Sequence, residues 1–191
     1  MPAHRNTVRI IAGKFRSRKI NFPSLPDLRP TADRIRETLF NWLQDSVPNG
    51  TCLDLFAGSG ALGFEALSRG ATSVIFVERN LQAAKSIERN LTLLNIENAY
   101  CYKTSAEQYL KNIQDTEMKF KVIFLDPPFA EGGLDFYCKL LEECGCLDKE
   151  SKIYLESPEQ LEPESIPDSW NELKSKRAGE VYFYLFESRN N

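Results

Sequence analysis

Two short segments of this chain hold residue types that chemistry needs at close quarters. One is Val122-Ile123-Phe124-Leu125-Asp126-Pro127-Pro128-Phe129. It sets a carboxylate, two prolines and an aromatic ring directly after an apolar run of strand character. Pro127 and Pro128 donate no backbone hydrogen bond and hold the chain extended. A rigid turn can therefore aim the Asp126 carboxylate and the Pro127 carbonyl at one point. Two acceptors converging on one point suit an NH2 group. Phe129 offers a face on which a planar base can stack. Pro-Pro also serves as a plain helix-stop turn, so this segment needs a companion before it carries weight.

The companion is Leu53-Asp54-Leu55-Phe56-Ala57-Gly58-Ser59-Gly60-Ala61-Leu62-Gly63, which reads as a strand, a glycine turn and a helix start. Gly58 and Gly60 let the backbone fold tightly and approach a ligand closely. Glu78 ends the next expected strand, 18 residues after Gly60, where a carboxylate can accept both hydroxyls of a ribose. Gly58, Gly60 and Gly63 also satisfy the dinucleotide fingerprint. Asp54 argues the other way, because an acid inside the cradle suits a ligand with a cationic amino group and disfavours a pyrophosphate. S-adenosylmethionine has the ammonium, whereas NAD has the pyrophosphate. Together the two segments suggest methyl transfer to an amino nitrogen. The lone pair of a guanine or adenine amino group is delocalised into the ring. Acceptors that hold both N–H bonds favour a pyramidal nitrogen and steer that lone pair toward a methyl sulfonium, for an in-line displacement.

The surrounding sequence supplies the elements that must position these groups. Val8 to Ile11 and Arg18 to Phe22 read as two short strands with Gly13 in the turn, and Leu25 to Pro30 as a loop. Thr31 is the expected N-cap of an amphipathic helix with Ile35, Leu39, Trp42 and Leu43 on one face. From Thr51 the pattern becomes βα repeats. Strands are expected at Cys52–Phe56, Ser73–Val77, Ala99–Lys103, Lys121–Leu125 and Lys152–Leu155, and helices at Ala61–Ser68, Leu81–Leu94, Ala106–Ile113 and Leu134–Cys144. A closing hairpin, Trp170–Lys176 and Val181–Phe186, would make the last strand antiparallel. Such repeats imply a mostly parallel sheet covered on both faces. The expected division is an N-terminal extension over 1–48 and a catalytic domain over 49–191.

Composition narrows the setting. With 191 residues, 42% hydrophobic and 27% charged, the chain can bury one core. No apolar run approaches the ~20 residues of a membrane helix, and no apolar stretch follows the N-terminal charges as in a signal peptide. A cytoplasmic protein with no membrane association is expected. Cys52, Cys101, Cys138, Cys144 and Cys146 are odd in number, so reduced thiols are expected. His4 is the only histidine and no fourth ligand accompanies the last three cysteines, so no metal is expected. The net charge of -3 is uneven. Residues 1–36 hold nine basic residues against Asp27 and Asp33, a charge of +7, while the remainder holds 15 basic and 25 acidic residues, a charge of -10. A basic arm on an acidic body suggests a polyanionic partner positioned by that arm. Its removal would then weaken that contact and spare the body.

At this point the chain resembles the RsmD family, methyltransferases of guanine N2 in small-subunit ribosomal RNA. The resemblance covers nearly the whole chain. It rests on Arg29-Pro-Thr-Ala-Asp-Arg-Ile-Arg-Glu-Thr-Leu-Phe-Asn-Trp-Leu43, Asp54-Leu-Phe-Ala-Gly-Ser-Gly-Ala-Leu-Gly63, Glu78-Arg-Asn80 and Asp126-Pro-Pro-Phe129. The hairpin bearing Arg9, Gly13 and Arg18 looks similar too. The resemblance implies a Rossmann-like class I methyltransferase: a seven-stranded, mostly parallel sheet with a C-terminal antiparallel hairpin strand and a short N-terminal β-hairpin and helix extension. S-adenosylmethionine is the implied cofactor. Ribosomal RNA, within the small subunit, is the implied partner of a monomeric enzyme. The groups expected around the cofactor are Thr31, Asp54, Phe56, Gly58, Gly60, Glu78, Arg79, Ser105, Ala106 and Asp126. Those expected to touch RNA are Arg9, Lys14, Arg16, Arg18, Arg29, Arg34, Pro128 and Phe129, with Asp126, Pro127 and Phe129 carrying the chemistry. Where such enzymes often have an acid beside the adenine, this chain reads Lys103-Thr-Ser-Ala-Glu107. The Ser105 hydroxyl or the Ala106 N–H is the expected substitute.

Three rivals use parts of the same pattern. A DNA adenine-N6 methyltransferase shares the amine site but needs a target-recognition region, and only about twenty residues separate Phe129 from the fifth expected βα strand. A protein-glutamine methyltransferase also presents an NH2 group, yet gives the basic arm no purpose. A Rossmann-type binding module would have the cradle without Asp126-Pro-Pro-Phe129.

Overall fold

The computed structural model describes residues 6–26, 28–114, 116–127 and 133–189. Pro128 and Phe129 of the expected amine site lie outside the described residues. The chain starts with a two-stranded antiparallel hairpin, β1 (Asn6–Arg9) and β2 (Lys19–Phe22), followed by α1 (Asp33–Trp42). The βα alternation then gives β3 (Thr51–Asp54), α2 (Ala61–Ser68), β4 (Ser73–Val77), α3 (Leu81–Leu93), β5 (Ala99–Tyr102), α4 (Ala106–Ile113), β6 (Phe120–Leu125), α5 (Leu134–Glu143) and β7 (Leu147–Ser157). A short 3-10 turn at Pro163–Ser165 precedes the hairpin β8 (Trp170–Ala178) and β9 (Val181–Ser188).

The seven-stranded sheet runs in the order β5-β4-β3-β6-β7-β9-β8, with β9 antiparallel to both neighbours. This is the expected sheet. Successive strands leave β3 toward β4 and β5 on one side and toward β6 and β7 on the other, so the order reverses between β3 and β6. Open α/β sheets bind ligands outside the carboxyl ends of their strands at such a reversal. Asp54 ends β3 there, and Asp126 follows β6.

Alternate residues of the strands feed two cores, as the period of two requires. On one face Phe76, Phe124, Tyr154 and Phe183 pack with α1, α2, α3 and the hairpin residues Val8, Ile10, Ile20 and Phe22. On the other, Leu53, Ile75, Ile123, Leu125, Ile153 and Leu155 pack with α4 and α5. The N-terminal extension therefore shares a core with the sheet.

Several boundaries differ from expectation: β1 lies two residues earlier than Val8 to Ile11, β3 stops at Asp54 rather than Phe56, and β8 and β9 each run two residues further. Two more differences have a local cause. The N-cap of α1 is Ala32, which makes no capping bond, and Thr31 lies one residue outside. Strand β7 begins five residues before Lys152. Its polar start, Asp148-Lys149-Glu150, hides the strand in the sequence. It is held by Ser151, whose hydroxyl donates to the Phe120 carbonyl at 2.7 Å and accepts from the Asp148 N–H at 2.8 Å. Among the described residues, no helix is long and apolar enough to cross a membrane.

Candidate active site

The glycine turn is built by backbone geometry that side chains resist. Gly58 and Gly60 have φ of +52° and +78°, in the left-handed region that favours glycine. A side chain at Gly60 would also meet the Phe64 ring at 2.9 Å. Asp54 braces the turn by accepting the Gly63 N–H at 3.0 Å. Glu78 closes it from the next strand: Oε2 accepts the Gly58 N–H at 2.7 Å and Oε1 the Asn80 N–H at 2.6 Å. Each Glu78 oxygen retains a lone pair, so the carboxylate is fixed in place and can still accept two hydroxyls. Above Gly58 the space is clear to 3.9 Å, where Leu28 from the loop before α1 bounds it. The residues present thus fit a ribose-bearing ligand: an open glycine floor, a fixed acceptor pair, and a buried acid beside them.

The second acid cluster lies along the same edge. Leu125 and Leu155 are partners in the parallel pair of β6 and β7, so the residues that follow them, Asp126 and Glu156, sit side by side on adjacent strands. Glu156 was not singled out from the sequence. The buried Tyr154 hydroxyl donates to its Oε1 at 2.7 Å, and the Thr31 side chain is a second polar neighbour that favours its ionised form. Among the described residues, no ion pair reaches either carboxylate. The electrostatics reflect this. Burial raises Asp126 well above the usual carboxylate range, and the nearby charges of Glu156 and Asp54 raise it further. Burial also raises Glu156, opposed by Tyr154 and Thr31. Asp54 is pushed up to about 7, first by burial and then by Glu78, against the lowering effect of the Gly63 bond. Three adjacent strand ends thus present acids that are costly to ionise and would be relieved by a ligand bringing N–H groups or positive charge.

The other expected residues fall as follows. Pro127 is buried directly after Asp126. Phe56 is half-buried and packs edge-on against Tyr137, with ring centroids 4.8 Å apart. Arg79 is exposed beside Glu78. Ser105 caps α4, its hydroxyl accepting the Gln108 N–H at 3.1 Å, and Ala106 is the first residue of that helix. The N–H at that first helical position has no intrahelical partner, which leaves it as a donor at the sheet edge.

The basic segment differs from a detachable arm. Glu65 is fully buried in α2 and accepts the Ile11 N–H at 2.8 Å, the Ala12 N–H at 3.0 Å, Arg69 Nε at 2.8 Å and Arg36 Nη1 at 3.4 Å. Arg36, also buried, donates as well to the Arg9 and Thr31 carbonyls and to Asp33. It is therefore a structural ion, withdrawn from the basic surface that its position in the sequence suggests. Ser68 accepts the Phe15 N–H and donates to the Ala12 carbonyl. Gly13 lies so close that a Cβ would sit 1.8 Å from the Ser68 carbonyl oxygen. Asn90 exchanges two hydrogen bonds with the backbone of Asn21. The hairpin is welded to α2 and α3. Arg9, Lys14, Arg16, Arg18, Arg29 and Arg34 remain exposed on it and on the segment that follows. Arg29 stands between Leu28, which bounds the cradle, and Thr31, which reaches Glu156.

A sheet of this order, with a glycine cradle and an acid pair at its reversal, is the Rossmann-like fold of class I methyltransferases. The comparisons agree. The family described as Conserved hypothetical protein 95 matches residues 8–187. Ribosomal RNA small subunit methyltransferase D of Escherichia coli strain K12 is 40% identical over 180 residues, covering 94% of this chain and 89% of the relative. Its counterpart in Haemophilus influenzae is 41% identical over 189 residues, covering 98% and 97%. The solved structure of Escherichia coli yhhF superposes with a TM-score of 0.86 at 39% identity, covering 97% of this chain and all of that one. The chain belongs to this family, the RsmD family of methyltransferases.

Proposed function

We propose that this chain transfers a methyl group from S-adenosylmethionine to the exocyclic N2 of a guanine in small-subunit (16S) ribosomal RNA. The observation that carries the reading is the placement of Asp126 at the end of β6, beside the glycine cradle and its ribose acceptor Glu78. The names of the relatives support ribosomal RNA of the small subunit as the substrate. The exposed basic residues of the N-terminal extension, residues 1–48, suit the phosphate backbone, where such contacts fix register without reading sequence.

When bound, S-adenosylmethionine supplies an electrophilic methyl on a sulfonium. Glu78 would hold its ribose, the Gly58 floor its backbone-facing side, Asp54 its ammonium, and the Ala106 N–H or Ser105 its adenine. Asp126 and the Pro127 carbonyl would accept the two N–H bonds of the target amine and orient its lone pair. The raised Asp126 carboxylate is a competent acceptor for the proton that the amine sheds as the new C–N bond forms. Phe129 would stack on the flipped base. Leu28 would cover the cofactor on the Gly58 side.

The test is methyl transfer from labelled cofactor to naked ribosomal RNA, isolated small subunits, DNA and protein, with the modified residue identified after digestion. Label on guanine N2 in RNA is the expected result. Label on adenine N6 or on a glutamine amide would replace the reading with one of its rivals.

A further inference from the structure

We propose that Glu156 is a second base-reading acceptor, taking the N1–H of the target guanine while Asp126 takes its amine, so that the paired carboxylates select guanine. This rests on the guanine-methylating reading above and names the residue that sets its specificity.

The argument begins with placement. The register of β6 on β7 puts Asp126 and Glu156 next to each other at the same sheet edge, on the face that carries Phe124 and Tyr154. Glu156 is flanked on two sides. Tyr154 is fully buried and its hydroxyl fixes Oε1 at 2.7 Å. Thr31, just before α1, is the polar neighbour on the other side. The Tyr154 bond keeps the carboxylate oriented and leaves it further lone pairs, since an ionised carboxylate accepts at about four sites.

Two half-buried carboxylates side by side repel each other, and among the described residues no ion pair with a basic side chain offsets them. Such a pair is stable when a ligand brings adjacent N–H donors. Guanine has three on one edge, N1–H and both hydrogens of N2. Adenine presents its amine beside an N1 acceptor, which a second carboxylate would repel. The same clash awaits 2-aminopurine, which keeps the guanine N2 amine but has an unprotonated N1. One amine-orienting acid cannot tell these bases apart. Two acids can.

A purely structural Glu156, serving only Tyr154 and Thr31, predicts no such discrimination. The experiment uses the full chain and a ribosomal RNA substrate carrying guanine or 2-aminopurine at the methylated position. The wild-type protein is expected to prefer guanine in kcat/KM by about tenfold or more. Glu156→Gln can turn its amide N–H toward an unprotonated N1. It is expected to lose about tenfold on guanine and to bring the two bases within about threefold of each other. Its cofactor affinity and melting temperature should match the wild type. Tyr154→Phe frees the carboxylate but keeps its charge, and should lower the rate while retaining the guanine preference. The proposal is overturned if the wild-type protein treats both bases alike, a result that needs no variant to fold. It is also overturned if Glu156→Gln retains the wild-type preference. Transfer to guanine N2 without discrimination removes only the role of Glu156, whereas no transfer to guanine N2 removes the enzyme reading as well.

Discussion

Two regions of the molecule bury acidic side chains, and they differ in what surrounds them. Glu65 accepts four donors, two of them from arginines, and ties the hairpin and α1 to α2. Asp54, Asp126 and Glu156 lie at the carboxyl ends of β3, β6 and β7 with no cation beside them among the described residues, and burial raises all three. A buried charge surrounded by donors is part of the frame. A buried charge left short of them is set for something that arrives later. Function clusters where burial is incompletely compensated.

The largest expected effect tests the second region. Asp126→Ala should lower single-turnover methyl transfer by ~10²–10⁴-fold, with melting temperature and cofactor affinity near wild type. A loss of folding alone, or near-normal turnover, would move Asp126 into the frame with Glu65. The counterpart is Glu65→Ala, which removes the buried acidic partner of Arg36 and leaves it only the half-exposed Asp33 as a counter-charge. A loss of about 3–5 kcal/mol is expected from the denaturant midpoint, with turnover per folded molecule retained. A catalytic defect in a stable Glu65 variant would break the distinction.

Glu78 joins both behaviours, since it holds the turn and offers acceptors outward. Glu78→Ala should weaken S-adenosylmethionine binding by ~1.5–3 kcal/mol in calorimetry. Unchanged affinity would leave Glu78 with only its bonds to Gly58 and Asn80. Asp54 gives a pH signature. Its folded-state value of about 7 exceeds the ordinary 3.8, so the folded protein keeps a proton that the unfolded chain has released. Its contribution to stability must therefore fall as pH rises through that window and level off above it. Asp54→Asn should flatten that part of the slope when urea midpoints at about pH 5 and about pH 8 are compared. An unaltered slope would place the titration elsewhere. The smallest effect concerns the exposed basic residues. Arg16→Ala, Arg18→Ala and Arg29→Ala should each reduce the log–log salt slope of RNA binding by roughly 0.7–0.9. Point changes are the right tool, because deleting residues 1–22 would strip Glu65 and Asn90 of partners and uncover Val8, Ile10, Ile20 and Phe22.

The sheet was legible in the sequence because βα repeats announce themselves through glycine stops and apolar runs. The cradle was legible because close backbone approach demands glycines at Gly58 and Gly60. The frame was not. Glu65 owes its role to backbone N–H groups of Ile11 and Ala12, more than fifty positions away in the chain, and no local pattern encodes such a partner. One signal was present: Glu65 is the only charge in the otherwise apolar helix Ala61–Ser68, and a charge so placed must be paired. Arg36 looked like one more member of a basic segment because sequence does not distinguish a buried arginine from an exposed one. Glu156 had its own clue, an acid one step past an apolar strand, as Asp126 stands to Leu125. No proline or aromatic marks the position, so the local pattern alone does not single it out.

The hairpin weld also bears on how the chain is made. Among the described residues, the side-chain bonds that fasten residues 11–21 to the helices reach 53 to 69 positions ahead, to Glu65, Ser68, Ser86 and Asn90. During synthesis, at about 5–20 residues per second, the hairpin waits several seconds for its docking site. Through that interval a cationic stretch with four apolar anchors stays undocked at the exit of an RNA machine. Synthesis and assembly thus run in different orders here: β1 and β2 are made before α2 and α3 but lock in place only once α3 has been synthesised.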